Sequence, residues 1–239
     1  MKDRLISLRQ TWAALAAQGL ASFLSCALIV VRALYARQVA YPFYFWNLFL
    51  AWIPLVAALI VYGLAARGEK RWLLSLGASV IWFLFFPNAP YIVTDLVHLH
   101  PRPPVPYWYD IITVMAFALS GLFVGYLSLY LMQEVVRARF GRWTGWAFAL
   151  GMLWLSSFGI YLGRFLRWNS WDALLDPYNT LVEAARIVDP RKDLAPLAFS
   201  ATFSALALVC YLIVYSFTHL HGWTRRGEEK PVAVARDLQ

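Results

Sequence analysis

Six long apolar runs alternate with short polar stretches along the chain, at roughly residues 12–34, 43–65, 72–86, 107–133, 143–162 and 194–218. A helix needs about 20 apolar residues to cross a hydrocarbon core of about 30 Å. The pattern predicts an all-α integral membrane protein, a bundle of about six transmembrane helices. Its polar flanks set off an N-terminal segment, 1–11, from a transmembrane domain, 12–218, and a polar tail, 219–239. Lys2, Arg4 and Arg9 precede the first run as in a signal peptide. That run is too long and lacks a small-residue cleavage site, so a retained first span is expected.

The third run breaks the pattern. From Trp72 to Phe86 a helix rises only about 22 Å, short of the core; continued to His100 it overshoots. Between lies Pro87-Asn88-Ala89-Pro90. Each proline lacks a donor and crowds the preceding turn, so the third span is expected to break there, with Asn88 capping a second short helix. That second piece carries Thr94, Asp95, His98 and His100. Irregular backbone and polar side chains at membrane depth are tolerated where protein or a wet cavity covers them, which makes the break the expected functional centre.

Other local signals refine the bundle. Gly121 and Gly125, and again Ser200 and Ser204, have the small-residue spacing that admits a close neighbour. Arg32 lies near the far end of the first span and is expected to snorkel outward. Pro101-Arg102-Pro103-Pro104-Val105-Pro106 reads as an extended surface link. Asp176-Pro177 is an N-cap followed by proline at N1. Tyr178, Leu181, Val182, Ala185 and Val188 then give one apolar face, predicting an outward amphipathic helix at the interface.

Composition agrees: 61% of residues are hydrophobic and 14% charged, against about 45–50% and about 25% in soluble domains. The net charge of +8 is distributed at span ends, as topology demands, and does not call for a nucleic-acid partner. Thirteen of the 21 Lys and Arg residues fall on the side of the termini, which places both termini in the cytoplasm. Cys26 and Cys210 lie inside apolar runs and read as small hydrophobes.

Two stretches, Phe85-Phe86-Pro87-Asn88-Ala89-Pro90-Tyr91-Ile92-Val93-Thr94-Asp95-Leu96 and Gly159-Ile160-Tyr161-Leu162-Gly163-Arg164-Phe165-Leu166-Arg167-Trp168-Asn169-Ser170-Trp171-Asp172, closely resemble the signature blocks of a bacterial multi-pass membrane family, Domain of Unknown Function family 1361. The resemblance runs from about the second span to the sixth. It implies a bacterial cytoplasmic (inner) membrane protein and carries no activity.

The candidate chemistry sits in those blocks. Arg164 and Arg167, three apart, share a face if the fifth helix continues that far. Asp95 lies on the same side of the membrane. Together with Asn88, Asn169 and Asp172 they form a candidate binding site in which arginines hold an anionic headgroup or a partner. The competing reading is that Asp95 pairs with one arginine and ties two spans together. Asp95, His98 and His100 are the one metal-leaning set. On a helix, however, the two histidines point about 200° apart, and only an extended backbone unites them. No cofactor motif is present, so none is expected.

Three functions remain open. The first is a binding or accessory protein, or complex subunit, in contact with the bilayer and with anionic lipid or other membrane subunits. The second is an intramembrane enzyme acting on a lipid-linked or envelope substrate, with Asp95 as acid/base and Arg164 or Arg167 as clamp. The third is a small transporter, disfavoured by the lack of mid-membrane charge and of an inverted repeat.

Overall fold

The computed structural model describes residues 8–168, 175–187 and 193–228, excepting the side chains of 8–11, 177, 181, 185 and 219–228. In order these form α1 (Leu8–Ala36), α2 (Phe43–Arg67), α3 (Trp72–Phe85), α4 (Asn88–Tyr91), a 3-10 turn (Ile92–His98), α5 (Tyr107–Phe140), α6 (Arg142–Phe165), α7 (Pro177–Ile187) and α8 (Ala195–Glu228). No strand occurs among the described residues. Six segments are long and apolar enough to cross a membrane, the third being Trp72–His98 taken as one unit. The last helix runs beyond the apolar stretch to Glu228, so part of the polar tail is helical.

Helix ends follow local chemistry. α2 closes on Gly68, whose left-handed φ of 69° lets its N–H return to Ala65 O; only glycine adopts that conformation without a steric cost. At α7, Asp176 Oδ1 accepts the backbone N–H of Asn179 at 3.2 Å, an N-cap immediately before Pro177. Of the apolar face expected on α7, the side chains of Leu181, Ala185 and Val188 lie outside the described residues.

α5 is the hub, packing against α1, α2, α4, the 3-10 turn, α6 and α8. Toward the chain termini its core is aromatic: Trp82 stacks on Phe86 and Phe148 and donates from Nε1 to Ser128 Oγ at 3.2 Å. Tyr211 donates to Gln133 nearby, and Tyr126 to the Ala207 carbonyl. Toward the break a second core gathers Tyr44, Ala89, Ile92 and Phe117. Large apolar side chains on the outer helices remain bare, such as Phe23 (71% exposed) on α1 and Leu73 (66%) on α3. An apolar exterior around a hydrogen-bonded helical interior is the arrangement a bilayer requires.

Candidate functional site

The break is a change of helical pitch. Phe86, Pro87, Tyr91 and Ile92 all keep right-handed dihedrals, while the hydrogen-bond register shortens. Ala89 N–H goes to Phe86 O at 3.2 Å rather than to Phe85 O. Asn88 Nδ2 takes up the Phe85 carbonyl so released, at 3.1 Å. Asn88 is therefore the first residue of α4, bonding backward; the expected N-cap is corrected, because Pro87 already occupies the position before α4 in a helical conformation.

Three glycines seat this segment. A Cβ on Gly121 would come within 2.7 Å of Ile92 Cδ1 and 2.8 Å of Ala89 O, and one on Gly125 within 3.0 Å of Ala89 Cβ. On α6, a Cβ at Gly159 would meet Pro87 Cγ at 3.1 Å. Close backbone approach of this kind is the use to which small residues are put between membrane helices. On α8 the Ser200 and Ser204 hydroxyls bond to their own helix, and Ser200 is fully buried.

Once α4 is held against α5, the 3-10 turn rotates Asp95 inward, where it is 1% exposed. Arg164 Nη1 stands 2.9 Å from Asp95 Oδ1, and Asn47 Nδ2 donates to Oδ2 at 2.8 Å. The guanidinium also donates to Thr94 O (2.8 Å) and, at 3.3 Å, to the Tyr91 hydroxyl. Tyr44 donates to the Asp95 carbonyl at 3.2 Å. One ion pair thus joins α2, the third span and α6.

Arg167 is elsewhere. α6 ends at Phe165, so the expected shared face with Arg164 does not form. Arg167 instead lies beyond the helix end in a left-handed conformation, φ 60°. For a residue with a Cβ this costs roughly 1–2 kcal/mol. Arg167 is exposed and makes no hydrogen bond or ion pair among the described residues. It borders a cleft of about 390 Å³ between α2, the break, α6 and α7. Asn47, Asn88, Tyr91 and Thr180 give the cleft a polar wall, Gly159 and Gly163 leave it room, and Trp46 and Trp168 flank it. Asp95 and Arg164 do not line it; they lie behind Asn47 and Tyr91. Asn169 and Asp172 lie outside the described residues. His98 packs edge-on against Phe43, centroids 5.4 Å apart, and the exposed His100 accepts from Arg102 at 2.8 Å, so neither joins Asp95.

A second buried pair lies at the same end of the bundle. Arg32 grips Asp110 with Nε–Oδ1 2.5 Å and Nη2–Oδ2 3.1 Å, at 3% and 0% side-chain exposure. The outward snorkelling expected of Arg32 is thereby corrected. An anion in the first turn of α5 is favoured by the helix dipole, and it draws the arginine inward. Tyr41 lies beside both Arg32 and Arg102, whose Cζ atoms stand 5.3 and 4.3 Å from its ring centre. Its buried hydroxyl has no partner among the described residues, and burial pushes its pKa up.

No curated protein and no solved structure matches the chain. A family model does match, over residues 46–216, from the Trp46 that flanks the cleft, through the break and the cleft-lining helices, to the last span. The chain belongs to the family described as protein of unknown function DUF1361.

Proposed function

We propose that this is a membrane-embedded binding protein of the bacterial cytoplasmic membrane whose cleft takes an anionic group, such as a headgroup or the charged end of a partner. The observation that carries this reading is the division of labour among the charges. Arg164 is consumed by Asp95, whereas Arg167 lines the cleft and has no anion among the described residues. A cation so placed beside amide and hydroxyl side chains suits an anionic oxygen ligand. The enzyme reading is weaker. Asp95, its acid/base, has an oxygen on Arg164, the other on Asn47, and no surface on the cleft.

The full chain purified in a neutral detergent tests this by native mass spectrometry. Wild type is expected to retain phosphatidylglycerol over phosphatidylcholine. Arg167→Gln is expected to weaken that retention roughly 10–100-fold, the worth of a charge-assisted hydrogen bond. Folding stability should change by less than about 0.5 kcal/mol, since Arg167 is exposed and makes no hydrogen bond or ion pair among the described residues. Equal retention of both lipids by wild type and variant would remove the site.

In this reading the cleft faces outward and both termini are cytoplasmic. Cysteine placed at Arg102 is expected to react with an impermeant maleimide on intact cells, and at Arg139 only after permeabilisation. The reverse pattern inverts the protein in the membrane.

A further inference from the structure

A second depression lies in the lipid-facing seam between α2 and α3. It encloses about 260 Å³ and is lined by apolar residues, among them Phe49, Ile53, Val56 and Ile60 from α2 and Ala78 and Ile81 from α3. Ala57 and Ala78, each about one-twentieth exposed, are small enough to keep its floor open. Phe49 and Val56, 57% and 52% exposed, stand at its edge. The seam therefore opens sideways into the hydrocarbon.

The groove lies on the same two helices as the polar cleft, one rung further along. On α2, Trp46, Leu50, Ile53, Ala57 and Ile60 recur at alternating steps of four and three, one stripe of a helix. On α3, which runs antiparallel, Leu84, Ile81 and Ala78 recur at threes. Trp46, Leu50 and Leu84 belong to the cleft, and the next rungs, Ile53 and Ile81, belong to the groove. From Leu50 to Ile60 the stripe runs about 15 Å. Half of a hydrocarbon core of about 30 Å, the depth of one leaflet, is also about 15 Å.

We propose that the ligand of the cleft is an anionic amphiphile whose hydrocarbon chain lies in the α2–α3 groove while its charged head sits at Arg167. The inference rests on the reading that the cleft takes an anionic group, and adds that the group is carried on a chain. A soluble anion leaves the groove unused, and a purely apolar solute leaves Arg167 unused. An amphiphile resident in the leaflet opposite the termini uses both, and enters sideways without leaving the membrane.

The test reconstitutes the full chain in phosphatidylcholine nanodiscs with a trace of phosphatidylglycerol bearing a diazirine in its acyl chain, and maps the photolabelled peptides. Labelling of residues 49–60 and 78–84 is expected to exceed that of the equally lipid-facing α1 and α8 several-fold. It should fall to their level in Arg167→Gln, persist in Arg167→Lys, and be absent with a phosphatidylcholine probe carrying the same diazirine chain. Even labelling of all outer helices, or equal groove labelling by both probes, would show ordinary annular lipid and overturn the inference. Displacement of the probe by glycerol 3-phosphate at matching concentration would also overturn it, in favour of a soluble anion, while leaving the anion site intact. Phosphatidylglycerol retained in an Arg167-dependent manner but labelled away from the groove would do the same. If Arg167→Gln alters neither retention nor labelling, both readings fail together.

Discussion

Arg164→Gln is expected to destabilise the bundle by about 3–5 kcal/mol, because it leaves a buried carboxylate without its counter-charge. The side chains are unequally placed: Asp95 is 2% exposed and Arg164 14%. Asp95→Asn should therefore cost less. The arginine left behind keeps its bonds to Thr94 O and Tyr91, and its long stem brings it within reach of the interface. The double variant should recover most of the loss of Arg164→Gln. Equilibrium unfolding in mixed micelles with rising dodecyl sulfate reads all three. An Arg164→Gln chain that unfolds at the wild-type midpoint would show that the pair does not hold the spans together. A chain with wild-type midpoint and impaired lipid retention would return Arg164 to the binding site.

Arg32→Met is expected to have a comparable effect, about 3–5 kcal/mol, for the same reason at the other pair. Here the telling variant is the double, Arg32→Met with Asp110→Leu. Buried ion pairs are often replaced by apolar residues of similar size at little cost, since desolvation offsets most of the Coulomb gain. The double variant should therefore lie much closer to wild type than Arg32→Met alone. If it is no better than the single variant in the same unfolding assay, the bidentate geometry contributes beyond charge compensation, and Tyr41 stacked on Arg32 is the next group to alter.

The spans were legible because hydrophobic length is a one-dimensional property. So was the break, since two prolines interrupt a helix wherever it packs. Gly121 and Gly125 could be read as a contact because a bare Cα has few other uses in an apolar helix. Position around a helix was harder to read. Arg32 near a span end reads as a snorkelling residue until Asp110, from a helix far along the chain, is placed beside it. Asp110 gave the same signal as Asp95, an acid within an apolar run, but lies just after the aromatic stretch Tyr107-Trp108-Tyr109 and so resembles part of an interface. The separation of Arg164 from Arg167 depends on where α6 stops, and helix ends are the least legible feature of any sequence. Asn47 was visible as a polar residue in a span; that it bridges Asp95 and the cleft is a fact of packing.

The two ion pairs are also distant in sequence: Arg32 lies 78 residues before Asp110, and Asp95 lies 69 before Arg164. A ribosome adding about 5–20 residues per second makes the early charge of each pair wait roughly 4–15 s for its partner. Arg32 can pass that interval with its guanidinium stretched to the far headgroups. Asp95, on a short side chain, has no such reach and is costly in lipid. Release of the third span into lipid ahead of α6 leaves that acid without its countercharge, a cost avoided when the two spans enter the membrane as one body.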